Sequence, residues 1–196
     1  VEEPHGVQSL DEIDIRIEDQ LLGLTPFRIG TADELDMSFA VDAVSQMSFT
    51  CPNEPETRAL FKPLGDPSMT LDINGTRKIT GRCRSPETIN ESASKVLHIG
   101  AFSKPGILET CSPPMSAFPL EFKDMPLDAI AEELCAFHGI PVVFEEPSGA
   151  RFKRVDIQPG DAILPFLTDL ATERNLVIRS SEAGELVFWQ VGGSGT

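Results

Sequence analysis

The chain has 196 residues, 16 of them basic and 31 acidic, for a formal charge of −15 and a pI near 4.5. That balance argues against a protein that neutralises many phosphates with Lys and Arg, and against a polybasic module for membrane surfaces. No apolar run approaches the roughly 20 residues that cross a bilayer. With 40% hydrophobic residues interleaved among the acidic ones, the composition is that of a folded chain.

The charge is uneven. Residues 1–60 carry a net of −10, residues 61–110 a net of +2 and residues 111–196 a net of −7. The front of the chain reads as strands. Ile13, Ile15 and Ile17 alternate with Asp14, Arg16 and Glu18, the period of two of a sheet with one buried face. Leu35, Met37, Phe39 and Val41 repeat the pattern against Asp36, Ser38, Ala40 and Asp42. Met47 and Phe49 begin a short strand that Pro52 ends, and Met69, Leu71 and Ile73 form another. Asn74-Gly75 suits the two positive φ angles of a type I′ turn, so Arg77 to Arg84 should return antiparallel. Ser94 to Phe102 alternates again, with Val96 and His98 on one face and Leu97 and Ile99 on the other. About six short strands within the first hundred residues point to a barrel or sandwich.

Lys104 to Cys111 reads as a short helical turn opening at Pro105, and Ser112-Pro113-Pro114 breaks regular structure. The domain boundary is expected between about 112 and 118. Beyond it the period changes. Pro119 to Phe122 is a strand, and Asp124-Met125-Pro126 opens a helix whose apolar positions are Leu127, Ile130, Ala131, Leu134 and Phe137. Gly139 ends that helix. Strands follow at Ile140–Phe144 and Phe152–Ile157. After Gln158-Pro159-Gly160, Asp161 is positioned to cap a second helix with Ile163, Leu164, Phe166, Leu167 and Leu170 on its apolar face. Asn175 ends it, and Leu176–Ile178 with Leu186–Trp189 closes the chain as a hairpin. The expected fold is α+β and mostly β, with a barrel over residues 1–115 and a small βαββαββ domain over 116–190. Residues 191–196, rich in Gly, read as a flexible tail.

Sites of chemistry are sparse. Cys51, Cys83, Cys111 and Cys135 form no CxxC pair and sit among apolar residues, so they read as buried free thiols of a chain folded in a reducing cytoplasm. His5, His98 and His138 have no second ligand at metal spacing. Glu132-Glu133 and Glu145-Glu146 read as solvated faces, because adjacent helical residues point apart and do not flank one bond. No G-x-S-x-G, H-E-x-x-H or Walker loop occurs. The expectation is a non-enzyme without metal or cofactor.

The stretch PLDAIAEELCAFHGIPVVFEE, followed by FKRVDIQPGDAILPFLTDLATERNLVIRSSEAGELVFWQ, resembles the phage Mu-type baseplate hub proteins, relatives of the late-control D proteins. The likeness runs through Phe137 to Val143, then Gln158, Gly160, Phe166, Leu167, Leu170 and Ala171, and ends at Gly184, Leu186 and Val187. Asn175 stands where the family has Gly, and it can take the same left-handed conformation. In the front half, the strands near Leu35, Met47 and Met69 and the ITGRC segment near residue 80 look like the family's tail-tube-like barrel. Family members are longer, so the likeness is to an N-terminal portion.

The resemblance implies a structural role in the virion's tail baseplate, after assembly in the host cytoplasm. Three copies would form a pseudo-hexameric ring that adapts the hexameric tail tube protein to a central spike protein, among other baseplate proteins, and lets DNA pass unbound. Ile13, Ile15 and Ile17 are the candidate strand for pairing between subunits, since an open strand edge accepts another strand. Asp14, Glu18, Asp36 and Asp42 are the candidate acidic face, turned to the lumen or to solvent, where it would repel phosphates. The rival readings are the spike-hub of a contractile secretion or tailocin-like system, and a glycan-binding tail module attached to a lysin. The second rests on the passing likeness of Val155 to Asn175 to a lysin-motif repeat.

Overall fold

The alternating segments of the front half assemble into one antiparallel sheet. The computed structural model describes residues 13–18, 27–29, 35–38, 44–61, 66–84, 87–90 and 95–190. Eight strands form the sheet: β1 (Ile13–Glu18), β2 (Phe27–Ile29), β3 (Leu35–Ser38), β4 (Gln46–Pro52), β5 (Ser68–Ile73), β6 (Thr76–Cys83), β7 (Glu87–Asn90) and β8 (Lys95–Ser103). Their order is β2-β1-β5-β6-β8-β4-β3, with β7 also on β8. The sheet curls as a half-barrel around Ile15, Ile17, Met47, Phe49, Met69, Leu71, Ile79, Leu97 and Ile99, all buried. A short helix, α1 (Pro55–Leu60), adds Phe61 to that core.

The β5–β6 hairpin turns at Asn74 and Gly75, whose φ angles are 51° and 73°, as the dipeptide predicts. β8 is the hub of the sheet. One edge pairs with β4 along its length, and the other is shared by β6 at residues 101–103 and β7 at residues 95–98. β6 and β8 approach so closely that a Cβ on Gly81 would stand 1.9 Å from the carbonyl oxygen of Phe102.

The second core lies in the back half. A 3-10 turn at Lys104–Glu109 leads through a second at Met115–Ala117 to β9 (Leu120–Met125) and helix α2 (Leu127–Ala136). Then come β10 (Val142–Phe144), β11 (Phe152–Ile157), α3 (Ile163–Thr172), β12 (Val177–Ser180) and β13 (Leu186–Trp189). This is the expected βαββαββ order. β9 pairs antiparallel with β11, while β13 pairs antiparallel with β12 and parallel with β10. The core holds Leu127, Ile130, Leu134, Ile163, Leu167, Leu170 and Phe188, and Phe144 stacks on Phe188 with ring centroids 4.3 Å apart. Val44 and Leu108, from before residue 115, also pack here.

Several local expectations change. Asp124 and Met125 belong to β9 and do not open α2. The helix starts at Leu127 after Pro126, and Asp124 takes a φ of 50° at an irregularity where it has no partner on β11. Asp161 does not cap α3. Its carboxylate accepts from the Gln158 amide at 3.1 Å, closing the turn, while Ala162 holds the cap position and the Ile163 amide donates to Cys111 at 3.0 Å. Strand β3 is described only as far as Ser38, so the expected continuation through Phe39 to Asp42 lies outside the described residues, as does the 191–196 tail.

Candidate functional site

Opposite the barrel core, the sheet presents a polar face built by the alternation of β1, β5, β6 and β8. Asp14 on β1 lies in register with Asp72 on β5, and Asp72 in register with Arg77 on β6. Both aspartates are 8% exposed. Like charges opposite one another destabilise a sheet unless neutralised. Arg77 grips Asp72 through two nitrogens, Nε at 2.5 Å and Nη2 at 3.4 Å, and Arg16 reaches Asp14 at 3.4 Å. The bulge between Leu71 and Asp72 brings Arg77 to the same face as Thr80, whose hydroxyl it also meets at 3.4 Å. Arg82 follows on β6 and the exposed Arg84 lies just past its end, 5.2 Å above the Phe102 ring.

Each anticipated site residue can now be placed. Ile15 and Ile17 are core residues at 0% and 1% exposure, and Ile13 is 38% exposed. β1 pairs with β5 over all six residues and with β2 over Ile15–Ile17. The strand therefore has intramolecular neighbours on both sides at Ile15 and Ile17, and the path of the described sheet ends at β2 and β3. Asp14 is a buried, ion-paired residue. Glu18 and Asp36 stand on β1 and β3, and Asp42 lies outside the described residues. The structure thus joins Asp14 to Arg16, Asp72 and Arg77. Sequence reading missed that cluster, although Asp72 and Arg77 flank the Asn74-Gly75 turn and a two-residue hairpin places such residues opposite each other.

The α+β domain meets this face at one end. Ser45, just before β4, donates its amide to Ser180 Oγ at 3.2 Å, and the two hydroxyls lie 3.0 Å apart. Thr80 Oγ1 donates to the Glu182 carbonyl at 2.8 Å. Lys104 Nζ donates to the Gly139 carbonyl at 2.7 Å. Gly106 is wedged so that a Cβ would stand 2.7 Å from Val44 and 2.6 Å from the Phe102 ring. The Ser45–Ser180 and Thr80–Glu182 contacts, 135 and 102 residues apart in sequence, left no local signal for sequence reading.

Little in the described residues supports bond-making chemistry. Cys51, Cys83 and Cys135 are buried and outside any disulfide, and Cys111 is half-buried. Burial pushes the thiols of Cys83 and Cys135 up to about 12, with Cys51 and Asp66 adding a smaller push at Cys83, so both stay protonated and unreactive near neutrality. Among the described residues no three His, Cys, Asp or Glu side chains converge as metal ligands. Among the described residues no helix is long and apolar enough to span a membrane. On the β9–β11 ribbon, Lys123 and Arg154 both pair with Glu121 and hold its carboxyl below the usual range, chiefly through the Lys123 hydrogen bond.

Solved structures share this curled antiparallel sheet carrying a small α+β domain. The crystal structure of the prophage MuSo2 43 kDa tail protein from Shewanella oneidensis superposes with a TM-score of 0.75 at 22% identity, over 91% of this chain and 53% of that one. The tail protein from Neisseria meningitidis MC58 gives 0.71 at 22% identity, over 95% and 52%. The E. coli c3393 protein, a type VI secretion component described as structurally similar to T4 tail proteins gp27 and gp5, gives 0.58 at 12% identity, over 97% and 49%. Residues 106–190 match the family model of the baseplate hub protein gp44-like second domain. Over 130 residues, 65% of this chain, the sequence is 27% identical to baseplate hub protein gp44 of Escherichia phage Mu. The chain is thus similar to phage baseplate hub and tail proteins, with the gp44-like second-domain match confined to residues 106–190. It spans about a third of the curated relative, 34%, and about half of each solved chain.

Proposed function

We propose that this chain is the N-terminal portion of a structural, non-enzymatic baseplate hub subunit. Three copies form a pseudo-hexameric ring that joins the six-fold tail tube to the central spike and lets DNA through. The observation that carries this reading is the match of residues 106–190 to the hub family's second domain, directly after a curled sheet in the position of a first barrel. The proposed division is a sheet domain within residues 1–115 and an α+β domain within 116–190, with the Lys104–Glu109 turn packing on the second core.

Pairing between subunits is proposed for the N-terminal strands. Because β1 is flanked on both sides at Ile15 and Ile17, the pairing strand falls at the ends of the sheet path, β2 or β3, or at the partly exposed Ile13 end of β1. The proposed acidic lumen draws on Glu18, Asp36 and Asp42 more than on Asp14, whose charge Arg16 already offsets. An acidic wall in a narrow duct repels phosphates and keeps DNA moving. Reconstruction of the assembled particle tests both points, since a neutral or basic lumen contradicts the second.

A spike-hub in a contractile secretion particle is the second reading, favoured by the superposition on the type VI component at a TM-score of 0.58. The two differ in what the tube carries. Particles purified with packaged DNA support the phage hub, and DNA-free contractile particles containing this chain support the secretion reading.

A further inference from the structure

Beside the packing of Val44 and Leu108 on the second core and the Lys104–Gly139 bond, the polar contacts between the two cores gather on one element, the turn between β12 and β13. Ser180, at its start, accepts from the Ser45 amide and meets the Ser45 hydroxyl. Glu182, at its tip, accepts from Thr80 on β6 through its main-chain carbonyl. Gly184, at its end, has a φ of +86° and sits so close to the sheet that a Cβ would stand 3.1 Å from Lys104 Cβ and 3.2 Å from the Thr80 carbonyl oxygen. The turn is closed on itself as well, with Ser181 Oγ accepting from the Glu185 amide and donating to its carboxylate. It is thus an internally hydrogen-bonded loop set against Thr80 in the middle of β6 and Lys104, the first residue after β8.

We propose that the Ser180–Gly184 turn is the latch that fixes the α+β domain on the sheet and makes the two cores unfold as one unit. This goes beyond the hub reading and does not depend on it. Small side chains and main-chain acceptors suit the task, because they carry little rotamer entropy and hold direction well. A side chain at Gly184 would press on Lys104 and Thr80, which would have to give by a few tenths of an ångström, apart from any need for positive φ. Gly160 separates the two roles. Its φ is +94°, in the same domain, yet a Cβ there would meet nothing within 4 Å.

The test uses two reporters native to the chain. Trp189, the single tryptophan, reports the α+β domain by fluorescence, and alkylation of the buried Cys83 reports the sheet. Urea unfolding of the unaltered chain should give coincident midpoints for the two. Gly160→Val strains the backbone alone, so both midpoints should fall together. Gly184→Val should separate them, with the Trp189 midpoint falling roughly 0.5–1 M urea below that of Cys83. Should Gly184→Val not fold, Ser180→Ala combined with Thr80→Val provides the same comparison. Separate midpoints in the unaltered chain, or coincident midpoints in the latch variants, would overturn the proposal.

Discussion

Asp14 and Asp72 face one another across β1 and β5 at 8% exposure each, so the arrangement persists only because a cation attends each carboxylate. Removing one partner of such a pair leaves a poorly hydrated charge behind, which costs more than the pair itself contributes. Arg77→Met should therefore destabilise the chain by about 1–3 kcal/mol. Adding Asp72→Asn should recover much of that loss, measured by urea unfolding, and an unchanged midpoint for Arg77→Met would contradict the account. The cysteines give a second residue-level prediction. Folding raises the thiols of Cys83 and Cys135 from 9.0 to about 12, so between those values the folded state holds protons that the unfolded state releases. Stability should be unaffected below pH 9.0 and fall from there to about pH 12, by up to about 1.4 kcal/mol per pH unit for each thiol. At pH 8 an alkylating reagent should label the half-buried Cys111 first, and rapid labelling of Cys83 would contradict its burial.

At the scale of elements, close approach and turn chemistry explain both what sequence reading recovered and what it missed. The strands at Ile13, Met47, Met69, Arg77 and Lys95 were legible because each buries one face and so alternates cleanly. β2 and β7 were not, being three and four residues long, too short for a period to register. Helix α1 went unseen for a similar reason, with six residues that open on Pro55. The start of α2 was misplaced because Asp124-Met125-Pro126 carries helix-opening residue types, while pairing with β11 holds Met125 in a strand. Asp161 was misread as a cap because the same carboxylate can serve a turn, which it does through Gln158. Gly81 is the element-level position most sensitive to change. Gly81→Ala would drive a methyl into the β8 main chain, so it should cost about 1–3 kcal/mol or more, with thermal unfolding as the measure. Asn175, with a φ of 55°, should respond the other way, since Gly relieves the left-handed strain at the end of α3.

For the whole molecule, the change of period beyond Ser112-Pro113-Pro114 made the βαββαββ order of the back half legible in full. The contacts that join the parts were not, because Ser45 to Ser180 and Thr80 to Glu182 link residues more than a hundred positions apart through small polar groups. The likeness to hub proteins came from motif order in the back half, the region that the hub-domain match covers at residues 106–190. The charge of −15 divides in the structure: on the described sheet face, Asp14 and Asp72 are offset by Arg16 and Arg77, and Arg82 and Arg84 lie alongside. Any acidic duct must then be made by other carboxylates, those of the N-terminal third foremost among the proposals. The measurement that tests the central claim most directly is a cryo-electron microscopy reconstruction of the tail particle at the end of its tube. The account predicts three copies of this chain in one ring, seated against a six-fold tube, with the N-terminal strands at the contacts between copies. A single copy, or a ring of another order that never touches the tube, would contradict it.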